Sequence, residues 1–153
     1  MKVYVASSWR NDKQPMIVEW LRSEGHDVYD FRNPTPDDCG FQWSEIDEDW
    51  ESWSCERYTS ALQHPIAQNG FDRDFAAMKW ADVCVLLLPC GRSAHLEAGY
   101  FVGAQKPLII LLEQIEPELM YSMANLVTDK MLEVLSALED LAEERATLKG
   151  GEG

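Results

Sequence analysis

Ala81-Asp-Val-Cys-Val-Leu-Leu-Leu-Pro-Cys-Gly-Arg-Ser-Ala-His-Leu-Glu-Ala-Gly-Tyr-Phe-Val-Gly-Ala-Gln-Lys-Pro-Leu-Ile-Ile-Leu-Leu112 reads as an apolar strand, a polar loop, a helix of small residues, a Lys-Pro stop and a second apolar strand. Two strands bridged by a helix form a parallel pair with a crossover, since a parallel connection has to travel back along the sheet. Between Ala94 and Gln105 the single acidic residue is Glu97. At about 100° per residue it shares a stripe with Ala94, Phe101 and Ala104, on a helix with scarcely any polar face. A carboxylate in that setting calls for a functional reason.

The flanking chain extends this unit into a sheet. Lys2 to Ala6 is a first strand, and Ser7-Ser-Trp-Arg-Asn-Asp12 is the loop that follows it. Pro15 suits the first turn of a helix with Met16, Ile17, Trp20 and Leu21 at helical spacing, and Gly25 ends it. Asp27 to Phe31 is a second strand, followed by a loop that Pro34 and Pro36 keep irregular. Residues 41–70 are read as an acidic, aromatic-rich insert of two short helices carrying Trp43, Trp50 and Trp53. These tryptophans either pack the insert or cover a base-binding pocket. Phe71 to Trp80 is expected to be helical, with Phe71, Phe75 and Met78 inward and Asp74 near its start. The runs Asp82–Leu88 and Pro107–Leu112 are continuously apolar, as strands buried on both faces are. Glu118 to Asn125 is irregular or short helix, Leu126-Val127 a last short strand, and Met131 to Arg145 an amphipathic helix. Gly150 to Gly153 is expected to fray.

The fold class that follows is α/β: a doubly wound, flavodoxin-like or Rossmann-like, mostly parallel sheet of about five strands, with an acidic Trp-rich helical insert. A chain of 153 residues suits one domain, read here as residues 1–149. Ligands of such sheets sit beyond the carboxyl ends of the strands, where strand order reverses, so Ser7–Asp12 and Pro89–Ser93 are the loops to inspect.

The net charge of −14 repels a phosphate backbone and argues against a nucleic-acid polymer as partner. No apolar run approaches the length of a membrane span, no membrane partner is expected, and the opening Met-Lys-Val-Tyr-Val reads as a strand rather than a signal peptide. Cys39, Cys55, Cys84 and Cys90 show no metal-binding spacing and read as free thiols of a cytoplasmic protein. Neither a metal nor another cofactor is called for, and a Gly-x-Gly-x-x-Gly dinucleotide fingerprint is absent.

Glu97 near a helix N-terminus would be held ionised by the macrodipole, the state a nucleophile needs. With Ser93 as the helix cap, the capping-box position falls on Leu96, so Glu97 is not a capping acid. Gly91, Arg92 and Ser93 offer a tight turn and donors for an anion, and Ser8, Trp9 and Arg10 offer a hydroxyl, a flat ring and a guanidinium on the same rim. His95 is read either as a donor to a sugar hydroxyl or, as a lone His beside a helix start more often is, as a surface residue. Asp74 is either a second carboxylate for proton transfer or a first-turn acid complementing a helix dipole, and Asp82 is expected to cap the start of its strand.

Tyr4-Val-Ala-Ser-Ser-Trp-Arg10, Asp74 ahead of Ala81-Asp82, and Gly91-Arg-Ser-Ala-His-Leu-Glu-Ala-Gly-Tyr100 resemble the nucleoside 2-deoxyribosyltransferase superfamily, which includes nucleoside 5′-monophosphate N-glycosidases. The resemblance spans roughly Lys2 to Leu112. It implies that Glu97 is the nucleophile, that Tyr4 positions it and that Asp74 is an active-site acid. It also likens Trp9 to an aromatic of the transferases, and Ser8 and Arg10 to phosphate contacts of the hydrolases. Six residues before the nucleophile the transferases carry aspartate and the hydrolases serine, where this chain has Gly91. The implied activity is cleavage of the N-glycosidic bond of a nucleoside or nucleoside 5′-monophosphate, by hydrolysis or base exchange. A homodimer or higher homo-oligomer is implied too, with Met120 to Asn125 near the neighbouring subunit's site. Two rivals remain open: a nucleotide-sensing module without turnover, and cleavage of NAD at its nicotinamide bond.

Overall fold

The computed structural model describes residues 1–150. Five strands and five α-helices follow one another as β1 (Lys2–Ala6), α1 (Gln14–Ser23), β2 (Asp27–Tyr29), α2 (Cys55–Ala61), α3 (Pro65–Trp80), β3 (Val83–Leu87), α4 (Arg92–Gly103), β4 (Leu108–Leu111), β5 (Leu126–Thr128) and α5 (Met131–Gly150). They form two compact units, one of Met1–Tyr29 with the chain from Ala81 onward, the other of Asp30–Trp80.

The first unit holds a five-stranded sheet in the order β2-β1-β3-β4-β5, parallel throughout. This is the doubly wound arrangement of the flavodoxin-like kind. Every residue of β3 and β4 is buried, which explains why both read as unbroken apolar runs. Side chains alternate across the pleat. Val3, Val5, Val83, Val85, Leu87, Ile109 and Leu111 form one core with Ile17, Val18 and Leu21 of α1 and Val134 and Leu138 of α5. On the opposite face Tyr4 lies in register with Tyr29 and Cys84. Its ring stacks on Tyr29 at 5.4 Å and meets Phe101 of α4 at 5.7 Å. Helices therefore cover both faces. Phe101 is fully buried, and removing a phenyl side chain from water stabilises by about 1.5–3 kcal/mol.

Both helices that feed this sheet end in the same way. At α1 the amides of Gly25 and His26 donate to the carbonyls of Arg22 and Leu21, with Gly25 at φ +85°. At α4 the amides of Gln105 and Lys106 donate to Val102 and Phe101. This paired closure requires a left-handed residue, and Gln105 adopts φ +57° without being glycine. The expected Lys106-Pro107 stop thus acts one residue late. Lys106 instead anchors the turn, its Nζ donating to the Ala81 carbonyl at 2.6 Å.

The second unit departs more from the sequence reading. Its helical content is α2, α3 and two single 3₁₀ turns, Trp43–Glu45 and Trp50–Ser52. α3 starts at Pro65 rather than near Phe71, because proline suits a first helical position and His64 Nδ1 accepts the Ile66 amide beside it. Its buried positions are Ala67, Gly70, Ala77 and Met78, so Phe71 is 57% exposed and not inward. Gly70 is needed for space: a Cβ there would come within 2.9 Å of the Phe41 Cβ. β2 stops at Tyr29, and Asp30 follows with its carboxylate accepting the Arg32 amide and the Asn33 side chain, each at 3.0 Å.

α5 runs on to Gly150, past the Arg145 expected from periodicity. Of the tail expected to fray from Gly150 to Gly153, residues 151–153 lie outside the described residues. Among the described residues no helix is long and apolar enough to cross a membrane.

Candidate active site

The strand order reverses between β1 and β3, so the loops leaving their carboxyl ends bound a crevice mouth. Two hydrogen bonds tie those loops together. Ser7 Oγ donates to the Leu87 carbonyl at 3.0 Å, and Asn11 Nδ2 donates to the Pro89 carbonyl at 3.1 Å. Asn11 also accepts the Lys13 amide through Oδ1 and is only 3% exposed. Sequence reading passed over Ser7 and Asn11, although polar residues at both ends of a short loop are the signal they leave. Between them, Ser8 Oγ accepts the Arg10 amide at 3.1 Å and so shapes the turn. Trp9 is 42% exposed and Arg10 is exposed.

α4 begins two residues earlier than expected. Gly91, not Ser93, is its N-cap, in an extended conformation with no capping side chain, and Ser93 is the second helical residue. Gly91, Arg92 and Ser93 are all exposed on this rim. Glu97 is consequently the sixth residue of the helix, beyond the first turn within which the dipole acts. It is no helix-end acid. It is partly buried on the stripe that carries Ala94, Ala98 and Phe101, which are 1%, 4% and 0% exposed. Ala104, expected on that stripe, is exposed at the helix end.

The charge of Glu97 acts on two thiols. Burial first, and then the Glu97 charge, push Cys90 up to about 12 and Cys84 well above the ordinary thiol value. Cys84 lies beside Tyr4 across the β1–β3 register, and Tyr4 packs on Phe101, one turn beyond Glu97. Tyr4, Cys84 and Glu97 therefore share one face of the sheet. Both thiols stay protonated at neutral pH and are poor nucleophiles there.

His95 is exposed, as expected, and it contacts Gly91 and Tyr121. Its Nδ1 lies 3.1 Å from the Gly91 carbonyl, which can only accept, so Nδ1 carries a proton, and Nε2 pairs with the Tyr121 hydroxyl at 3.0 Å. The two rings stack at 6.0 Å. Burial holds the Tyr121 hydroxyl above its ordinary pKa, in keeping with a donor. This contact fastens the 3₁₀ segment Leu119–Met123 to the start of α4. Tyr121 was not singled out in the sequence, since it lies 26 residues from its partner.

Asp74 belongs to the second unit, where it is the tenth residue of α3 rather than a first-turn acid. Its Oδ1 lies 3.6 Å from Arg73 Nε, and Arg73 also pairs with Asp38. Asp82 sits immediately before β3, as expected, accepting the Lys2 amide of neighbouring β1 at 3.1 Å and pairing with Arg145 at 2.6 Å. The first unit thus carries Tyr4, Ser8, Trp9, Arg10, Gly91, Arg92, Ser93 and Glu97, and the second carries Asp74.

No family model matches the chain, and no curated protein matches it in sequence. A solved structure does. It is a 2-deoxyribosyltransferase from the psychrotolerant bacterium Bacillus psychrosaccharolyticus, a biocatalyst for the synthesis of antiviral and antitumoral nucleosides. The chain is similar to it at 20% identity and a TM-score of 0.57, over 88% of this chain and 90% of the other. At that identity the likeness establishes the fold.

Proposed function

We propose that the protein cleaves the N-glycosidic bond of a (2′-deoxy)nucleoside or nucleoside 5′-monophosphate, with Glu97 as nucleophile. The carrying observation is the position of Glu97, a partly buried carboxylate on the sheet-facing stripe of α4, the helix that follows the strand at the order reversal, acting on thiols too basic to compete. Similarity to a 2-deoxyribosyltransferase fold supports the same reading.

In the proposed reaction a Glu97 oxygen bonds to C1′ as the C1′–N bond breaks, and that electron pair leaves on the base nitrogen. A water or a second base then attacks C1′ and frees the carboxylate. Tyr4, buried on the same face, positions Glu97. Ser8, Arg10, Arg92 and Ser93 hold the substrate's 5′ end, with Arg10 and Arg92 supplying the positive charge, and Trp9 and Gly91 complete the substrate-binding rim. Asp74 is assigned to sugar hydroxyls and proton handling.

The test is base release from a panel of nucleosides, 5′-monophosphates and NAD, with and without an acceptor base. Glu97→Ala is expected to abolish turnover, and Asp74→Asn to lower it by about 10²- to 10⁴-fold. Wild-type turnover by Glu97→Ala sinks the reading. Nucleotide binding without base release makes the protein a sensor instead, and nicotinamide release from NAD alone makes it an NAD glycohydrolase.

A homo-oligomer belongs to the same proposal. Leu119, Met120 and Met123 are 83%, 61% and 47% exposed on the segment that Tyr121 fastens to α4. Apolar exposure of this kind marks a contact surface. Light scattering after size exclusion is expected to show a dimer or larger species that Met120→Glu dissociates.

A further inference from the structure

The second unit contains a cavity of about 350 Å³ whose walls include Trp43, Trp50, Trp53 and Tyr58. Trp43 meets Trp53 at 5.6 Å and 77°, and Tyr58 at 5.7 Å and 72°, so the rings stand nearly perpendicular to one another. The four rings line one volume, and edge-to-face contacts fix the mutual orientation of Trp43, Trp53 and Tyr58. Glu51 lines the same cavity.

Trp43 and Trp53 are held in place before any ligand arrives. Gln42 and Glu45 form a reciprocal capping box around the turn that bears Trp43. Trp53 Nε1 donates to Asp47 at 2.8 Å, and Ser54 caps α2 by accepting the Arg57 amide at 3.1 Å. Trp50 and Tyr58 are nevertheless 36% and 45% exposed. Aromatic surface left open to water beside such fixed rings is characteristic of a binding surface.

Charge selects the ligand class. From Phe41 to Leu62 the chain carries Glu45, Asp47, Glu48, Asp49, Glu51 and Glu56 against the single base Arg57. An anionic nucleotide is repelled here, and an uncharged base gains nothing from the field. One cation is already in place: the Arg57 guanidinium sits 5.4 Å from the Trp53 ring centroid. Ring faces attract cations, most strongly when the cation is alkylated and easily desolvated.

We propose that this cavity is a binding site for a small organic cation with an alkylated ammonium group. Its volume lies at the lower end of the range for small-molecule pockets, which favours a free metabolite-sized cation over a segment of a protein chain. This site is independent of Glu97 and of the glycosidic reaction.

Tryptophan fluorescence and calorimetry with choline test it, using 3,3-dimethyl-1-butanol as the uncharged isostere. Choline is expected to bind at least about tenfold tighter than the isostere, and a trimethyl-lysine peptide no tighter than choline. Trp50→Ala weakens choline about tenfold or more, and Glu51→Gln about threefold, both with unchanged far-UV circular dichroism. Equal binding of choline and the isostere overturns the proposal, as do tighter binding of adenosine than of choline, a peptide that outcompetes choline, or full choline affinity in Trp50→Ala.

Discussion

Glu97→Gln should make Cys90 react faster with an alkylating agent, a result that needs no substrate and no knowledge of the reaction. The Cys90 thiol is pushed from its ordinary 9.0 up to about 12. At pH values below both, that reduces its thiolate fraction about a thousandfold. Burial is the larger cause and the Glu97 charge the second. On a logarithmic scale the carboxylate therefore supplies less than half of the effect, an upper bound of about thirtyfold. Solvent screening of a half-buried pair lowers this, so the expected acceleration is about threefold to tenfold. Gln keeps the shape of Glu97 and removes only its charge. Iodoacetamide labelling at about pH 8, read by peptide mass spectrometry, measures the rate on the thiolate form. Exposed Cys39 and Cys55 serve as internal references, and buried Cys84 as the protected control. Equal Cys90 rates in the two proteins, with Cys39 and Cys55 unchanged, would refute the reasoning. Glu97 would then be neutral or turned away from the loop, and its assignment as an ionised nucleophile would fall with it.

Three further outcomes follow from particular positions. Gln105→Gly relieves a left-handed residue at an exposed helix end. It should stabilise by about 1 kcal/mol after glycine's greater unfolded-state entropy is subtracted, raising the melting temperature by about 2–4 °C. Gly70→Ala drives a methyl group to within 2.9 Å of the Phe41 Cβ and should destabilise by about 1–3 kcal/mol in urea unfolding. Hydrogen bonds from the Trp53 indole and then the Asp49 amide hold the Asp47 carboxyl below its ordinary 3.8. Its folded-state pKa is depressed, so its contribution to stability is fully present above 3.8 and is lost as pH falls through the lower folded value. Tryptophan emission should shift to the red over that acidic window, and Asp47→Asn should remove this component.

Much of the fold was legible because burial leaves a local trace. Residues 83–87 and 108–111 are apolar at every position, which a strand covered on one face only does not need. The α4 carboxylate was conspicuous for the complementary reason: the stripe of Ala94, Ala98 and Phe101 has no other charge on it. Helix starts were less readable. Gly91 caps α4 without offering a side chain, and Pro65 opens α3 behind a histidine, so neither left the Ser, Thr or Asp that ordinarily marks such a point. Phe71 was placed inward on apolarity alone, whereas the smaller Ala67 and Gly70 are the buried residues of that helix, with Phe41 packed close on Gly70.

The amino-acid order by itself determined the parallel sheet, the crossover helix and the single anomalous carboxylate, because hydrophobic spacing is written within windows of a few residues. Only the tertiary structure decided what holds the surroundings of that carboxylate. Ser7 meets Leu87 across 80 residues, Asn11 meets Pro89 across 78, and His95 meets Tyr121 across 26. The perpendicular ring walls of the second unit arise in the same way, from short turns brought face to face. Such partners depend on strand register and packing, and neither is contained in any local stretch of chain.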